Sequence, residues 1–306
     1  MEGYKTTGVW PVMLTPFTEM GEVDYYALDY LIDWYTEKGV TGLFAVCQSS
    51  EMFYLSLKER VKMAEYIKRR ASIPVIASGH ISDGPSQQVR ELVQMAETGV
   101  DAVILITNRT AQEGQASQIW IEGMEELLEQ LPPITPLGLY ECPYPYKRVL
   151  SQEELEFCIQ TGRFRFLKDT CCDAERIRNR LEQVKGRGLK LFNANTSTLL
   201  ESLRYGAEGY SGVMANFHPD LYVWLCRNWD RYPEEAERLQ AGLTFASMIE
   251  KQYYPNNAKI YLAEEGLPIG ERCRVRSGQF VSGLYRSEIA QLRTLTETMR
   301  DRIQGL

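Results

Sequence analysis

The residue in this chain best suited to covalent chemistry is Lys168, within Phe164-Arg165-Phe166-Leu167-Lys168-Asp169-Thr170. The stretch reads as a strand, with Phe164, Phe166 and Lys168 on one face and Arg165, Leu167 and Asp169 on the other. A lysine at the end of an apolar strand is uncommon, because its ammonium group prefers water. Kept dry among residues such as Phe164 and Phe166, it sheds its proton more easily. The neutral amine can then attack a ketone and form a Schiff base. A protonated imine is an electron sink, so a carbon–carbon bond beside it can form or break. An earlier strand ends in Tyr140, inside Gly138-Leu139-Tyr140-Glu141-Cys142-Pro143, and its phenol could carry the protons. The plainer alternatives are a lysine that is solvated or paired with Asp169 or Glu141, and a tyrosine that is a core aromatic with a satisfied hydroxyl.

Other polar residues could serve the same chemistry. Backbone N–H groups near Gln48 and Ser49, with the Ser49 hydroxyl, could hold a carboxylate. The same loop could instead cap the helix that starts near Ser56. Arg109 could bind an acid group on a second substrate, or be an ordinary loop or interface ion pair. Asn193, Asn195 and Thr196 suit the hydroxyls of a sugar-like substrate. Tyr144 and Tyr146 could line the pocket or pack at a surface. His80 and His218 are too few and too scattered for a metal site, and no metal or organic cofactor is expected. Seven cysteines without zinc-type spacing read as reduced, packing thiols, including Cys47, Cys142 and Cys171.

The elements that position these residues alternate. Apolar runs begin at Gly8 (GVWPVMLTPF) and Gly42 (GLFAVC), and continue with PVIASG, DAVILIT, the Thr135 to Cys142 stretch, Phe164 to Thr170, Gly188 to Asn193 and Gly209 to Met214. Each is followed by a segment with apolar residues at helical spacing; in the first, Leu28, Leu31, Ile32 and Tyr35 share a face, with Asp24 as N-cap and Lys38-Gly39 as the stop. Eight such units predict the α/β class, as a parallel (β/α)8 TIM barrel over residues 1–218. An open doubly wound sheet is disfavoured, since the first turn, Thr18-Glu19-Met20-Gly21-Glu22, has no G-x-G-x-x-G. Residues 219–306 predict a C-terminal α-helical extension, with helices over 220–227, 233–251, 257–265 and 287–304. In such a barrel the strand C-termini carry the chemistry, and Lys168, Tyr140, Gln48, Ser49, Arg109, Asn195 and Ser211 all fall there.

The chain has 306 residues, 44% hydrophobic and 25% charged, with net charge −7. This is a soluble-enzyme balance, and the negative charge and lack of basic clusters argue against nucleic acid as a partner. No run is long and apolar enough for a membrane span, and Met1 to Thr7 has no signal-like core. A cytoplasmic location is expected.

At these rim residues the chain resembles the dihydrodipicolinate synthase / N-acetylneuraminate lyase family of class I pyruvate aldolases. The resemblance runs from about Gly8 to Arg300. It rests on GVWPVMLTPF, GVTGLFAVCQSSE followed by LSLKER, PVIASG, the tyrosine of GLYECP, the lysine of FLKDT and the Gly-x-x-Gly-x-x-x-Asn of GYSGVMAN. It implies pyruvate or another 2-keto acid bound as an imine on Lys168, proton relay by Tyr140, and carboxylate contacts from Gln48, Ser49 and the backbone near Ser211. It also implies a homotetramer or homodimer. Departures accompany it: Gln48 stands where the family has a hydroxyl residue, and Ser50 replaces a glycine. The tyrosine that follows strand four is missing from Thr107-Asn108-Arg109-Thr110. The reading is a lyase of aldolase or dehydratase type, whose second substrate is a hydroxylated aldehyde or sugar acid. The competing reading is a keto-acid-binding or regulatory barrel without turnover.

Overall fold

The computed structural model describes residues 7–276 and 281–306. All of Met1 to Thr7 except Thr7, the stretch read for a signal core, lies outside them. Eight strands lie parallel in one sheet: β1 (Gly8–Val9), β2 (Leu43–Phe44), β3 (Val75–Ser78), β4 (Ala102–Ile106), β5 (Leu137–Tyr140), β6 (Phe164–Asp169), β7 (Lys190–Asn193) and β8 (Gly209–Tyr210). Their order, β1-β8-β7-β6-β5-β4-β3-β2, leaves β1 and β2 at the two ends. A parallel bridge between Val12 and Phe44 joins those ends, supported by hydrogen bonds from Met13 N to Phe44 O and from Phe44 N to Pro11 O, both 3.0 Å. The sheet therefore closes into the expected (β/α)8 barrel. The first strand breaks into a short ladder and a later bridge because Pro11 has no N–H to donate. Where β1 meets β8 the backbones approach so closely that a Cβ on Gly209 would collide with the Gly8 carbonyl.

Helices α1 (Tyr25–Glu37), α2 (Leu57–Arg70), α3 (Pro85–Glu97), α4 (Ser117–Gln130), α5 (Gln152–Gln160), α6 (Ala174–Val184) and α7 (Leu199–Arg204) follow the first seven strands. Their starts follow local chemistry. Asp24 caps α1, accepting from Ala27 N at 3.0 Å. Ser56 with Glu59, and Ser151 with Glu154, form capping boxes on α2 and α5. After β8 come α8 (Pro219–Asn228), α9 (Pro233–Ala246), α10 (Asn256–Glu264) and α11 (Gly283–Ile303). Helix α8 packs on β1 and β8, so it stands as the eighth barrel helix, while α9 to α11 form the helical extension. The 233–251 helix expected from sequence divides: α9 ends at Ala246, and a tighter 3₁₀ turn, Ser247–Lys251, carries the chain back toward the barrel mouth. No described helix is long and apolar enough to cross a membrane.

Inside the barrel, Trp10, Phe44, Phe166 and Phe192 form the floor under the rim. Phe166 stacks on Phe192 with centroids 4.3 Å apart, and Trp10 meets Phe166 edge-on at 5.5 Å. Such a filled interior is a packed core with no channel through it, so ligands can enter only at the rim.

Candidate active site

Lys168 and Tyr140 are cross-strand partners in the β5–β6 register. The pairing depends on an irregularity between Leu137 and Gly138, where Leu137 pairs with Phe164 but Gly138 pairs with Phe166. The skipped Arg165 bends β6 and brings the next residues back into step. Glycine is needed at 138: an added Cβ would strike Ile104 Cδ1 and lie 3.0 Å from Phe166 Cβ. Parallel partners point to the same face, so both side chains enter the barrel mouth together.

Lys168 is 4% exposed, and its Nζ lies 4.4 Å from the centroid of the Tyr140 ring. Among the described residues no hydrogen bond or ion pair reaches that nitrogen, yet it is not sealed off either. Burial lowers its pKa to about 8, against the opposing pull of Cys47, Cys142 and Glu250. The expected alternative, pairing with Asp169 or Glu141, does not occur. Both carboxylates are taken by Arg180 of α6: its Nη2 donates to Glu141 at 2.7 Å and its Nη1 to Asp169. Glu141 also accepts from Leu150 N and Thr170 N, each at 2.9 Å. This buried cluster ties the ends of β5 and β6 together and leaves the lysine without a counter-ion.

The phenol of Tyr140 donates to Gln48 Oε1 at 3.4 Å. Burial raises the Tyr140 pKa well above 10, so the group holds its proton at neutral pH. The loop after β2 is held from behind. Ser50 Oγ lies 2.7 Å from Met13 O and 2.8 Å from Ala45 O, and Thr15 donates to Ser50 O at 2.7 Å. The N–H groups of Gln48 and Ser49 reach no backbone carbonyl among the described residues, and that of Ser49 leans only on the Cys47 sulfur. Two adjacent donors not held by carbonyls are what a carboxylate needs. Beside them Glu51 adopts φ 61°, and its carboxylate accepts from Lys259 Nζ at 3.0 Å, Arg274 N at 2.6 Å and Val275 N at 2.9 Å. It pins the C-terminal extension to the barrel mouth. The described non-glycine residues with positive φ are Glu51, Cys172 and Tyr253; the first two line the mouth and the third precedes a lining residue. Strain of this kind, about 1–3 kcal/mol each, collects at functional sites.

These groups open onto a cavity of about 510 Å³. Of the residues singled out in the sequence, Lys168, Tyr140, Gln48, Ser49 and Asn195 line it, and so does Tyr144. Asn195 Oδ1 accepts from Thr198 N at 3.1 Å. Ser211 stands apart: its hydroxyl donates to Trp10 O at 2.9 Å, buried in the wall between β8 and β1. Arg109 lies in a separate cavity of about 470 Å³ beside α3 and α4, paired with Asp83, and Tyr146 lies there too with its hydroxyl on Asn108 O at 3.0 Å. Of the two loop tyrosines, Tyr144 is therefore the one at the Lys168 cavity. Among the lining residues missed in the sequence are Glu250, Lys251 and Tyr254. They come from the extension, where the strand-end rule does not look. A faint signal exists in Glu250-Lys251-Gln252-Tyr253-Tyr254-Pro255, where polar and aromatic residues precede a helix-interrupting proline. The Tyr254 phenol accepts from Asn216 Nδ2 at 2.8 Å and stands beside Ser49.

The sequence model of the Dihydrodipicolinate synthetase family matches residues 5–280. Among curated proteins, the chain is similar to the 4-hydroxy-tetrahydrodipicolinate synthase of Marinobacter nauticus, with 24% identity over 273 residues, 86% of each protein. It is also similar to that of Oceanobacillus iheyensis, with 27% identity over 213 residues, 68% of this chain and 69% of that protein. Among solved structures it is similar to YagE, a prophage protein of the dihydrodipicolinic acid synthase family from E. coli, in complex with pyruvate. That match has a TM-score of 0.84 and 21% identity and covers 96% of this chain and 98% of YagE. A second is the chloride-inhibited dihydrodipicolinate synthase from Acinetobacter baumannii, also with pyruvate, at TM-score 0.82 and 20% identity over 95% and 99%. At these identities the solved structures show the shared fold.

Proposed function

The chain belongs to the dihydrodipicolinate synthetase family, and from that premise we propose that it is a Schiff-base-forming lyase acting on pyruvate or another 2-keto acid. The observation that carries the reading is Lys168: a buried amine, without a counter-ion, facing a cavity beside a phenol. Its Nζ attacks the keto carbon, water leaves, and the resulting iminium draws electrons from the adjacent bond. The backbone N–H groups of Gln48 and Ser49, neither held by a carbonyl, supply the carboxylate contacts. Tyr140, which keeps its proton, donates to the oxygen lost from the keto carbon. The pyruvate in the YagE and Acinetobacter structures supports a keto acid as ligand. Asn195 and the cavity's size support a second half with hydroxyl groups, released by aldol cleavage or dehydration. Self-association into a homodimer or homotetramer belongs to the same proposal and is read by light scattering.

The test is chemical trapping. The protein is incubated with pyruvate, reduced with borohydride, weighed and mapped. A pyruvate-sized increment on Lys168, absent from Lys168→Met, is expected. No increment with pyruvate or any of several 2-keto acids would sink the lyase reading. It would favour the competing one, a regulatory barrel without turnover, for which the replacement of a hydroxyl residue by Gln48 speaks.

A further inference from the structure

A cleavage that starts from an imine on Lys168 needs a base, and the cavity offers few. Tyr140 and Tyr254 are held well above 10 by burial, and burial pushes the thiols of Cys47 and Cys142 up, the latter to about 11. None of these four is an anion at neutral pH. The histidines are committed elsewhere: His80 Nε2 accepts from Ile106 N at 2.8 Å, and His218 meets Thr296 at 3.2 Å. Of the two lining carboxylates, Glu51 is consumed by Lys259 and two backbone N–H groups.

Glu250 is different. It is partly buried on the 3₁₀ turn Ser247–Lys251, lines the same cavity as Lys168, and has no hydrogen bond or ion pair among the described residues. Its oxygens are not walled off, and the residue lines the cavity. Burial raises its pKa while Lys168 and Lys251 lower it, which makes it a stronger base than an exposed carboxylate. It is delivered by the extension, on a turn packed against the Val213–Asn216 segment that follows β8.

We propose that Glu250 accepts the proton of the γ-hydroxyl of a γ-hydroxy-α-keto acid held as the imine on Lys168, the substrate type that an aldolase of this family implies. This rests on the Schiff-base reading above. The step balances as follows. The carboxylate of Glu250 takes the γ-hydroxyl proton, the γ carbon–oxygen bond becomes a carbonyl, and the bond between the β and γ carbons breaks. Its electron pair forms the enamine and neutralises the iminium nitrogen. An aldehyde leaves; the proton returns to the β carbon, and water hydrolyses the imine to free pyruvate and the amine. Cleavage thus replaces loss of water, since a base placed on the hydroxyl removes its proton and does not help it depart.

Two measurements test this, each on the full chain. The first is pyruvate trapping with borohydride in wild type, Glu250→Gln and Glu250→Ala; an adduct on Lys168 in all three shows that the cavity is intact. The second is pyruvate release from γ-hydroxy-α-ketoglutarate, γ-hydroxy-α-ketovalerate and a deoxy-α-keto aldonic acid, followed with a coupled NADH assay. The expected result is that wild type cleaves at least one of them and that both variants lose roughly 10²–10⁴-fold in kcat. KM should change by less than about threefold, and added formate should restore part of the Glu250→Ala loss. Variants that trap pyruvate and cleave at the wild-type rate overturn the assignment to Glu250. A wild type that traps pyruvate but cleaves no member of the panel overturns the substrate class. A wild type that traps nothing removes the Schiff-base reading beneath it, and the proposal with it.

Discussion

Replacing Lys168 by methionine should stabilise the protein at neutral pH while abolishing imine formation. Burial lowers the lysine from 10.5 to about 8. That difference is roughly 300-fold in acidity, or about 3 kcal/mol, and it measures how poorly the folded cavity tolerates the ammonium form. Below pH 8 both folded and unfolded chains carry the proton, and the folded state bears the whole penalty. Between pH 8 and 10.5 the folded amine sheds its proton while the unfolded one keeps it, so wild-type stability rises through that window. Above it the penalty is gone. Methionine matches the stem and carries no charge. It loses the contact with the Tyr140 ring at 4.4 Å, worth about 0.5–2 kcal/mol. The net gain for Lys168→Met is therefore about 1–3 kcal/mol at pH 6 to 7. Urea unfolding of both proteins at unit steps from pH 6 to 10 measures it. The gain should be largest at the acid end and shrink across the window. A methionine variant that is less stable at pH 7, or a gain that does not vary with pH, would refute the claim that this amine is held dry at a cost. The same pKa leaves roughly a tenth of the amine neutral at pH 7, so the trapping rate in wild type should rise about tenfold per unit up to pH 8 and then level.

Three further outcomes follow. Tyr140→Phe keeps the ring but removes the hydroxyl that reaches Gln48, so pyruvate trapping should slow, and turnover fall with it, by roughly 10²–10⁴-fold in single-turnover trapping and steady-state assays. Arg180→Met strands Glu141 and Asp169 as buried, unpaired carboxylates, and urea unfolding at pH 7 should show a loss of about 3–5 kcal/mol. Part of that loss should be recovered at low pH, where Glu141, whose pKa burial already raises, takes up a proton. Lys259→Met leaves Glu51 without its cation in a fully buried position, with a similar loss of about 3–5 kcal/mol in the same assay.

Much of the barrel was legible because its signals are local. Eight apolar runs, the Asp24 cap and the Lys38-Gly39 stop each act within a few residues, and the structure uses them as read. The Lys168 and Tyr140 pairing was legible because strand ends in this fold share one rim. What escaped depends on contacts distant in sequence. Nothing near Lys168 reveals that Arg180 of α6 would claim both neighbouring carboxylates. Ser211 and Arg109 sit at strand ends as expected, yet one side chain turns into the wall toward Trp10 and the other toward Asp83. A strand-end position specifies height along the barrel axis but not the direction of a side chain beyond the last ladder bond. The turn that carries Glu250 was read as the last turn of a longer helix, because helical and 3₁₀ segments share their residue preferences.

The distribution of charge around the rim explains why Lys168 is left for chemistry. Four buried or half-buried acids stand near the mouth: Glu141, Asp169, Glu51 and Glu250. Arg180 takes the first two from outside the barrel, and Lys259 with the backbone of Arg274 and Val275 takes the third from the extension. Each of these pairings stabilises a junction, β5 with β6 in one case and barrel with extension in the other. The same pairings withhold counter-ions from Lys168, and its pKa falls by burial alone. Had Asp169 turned inward to meet the neighbouring lysine, the ion pair would have kept the amine protonated and unreactive. Structural ion pairs and a reactive amine are thus two results of one arrangement. Glu250, the acid left over, lines the same cavity as the amine and acts on it electrostatically without pairing with it.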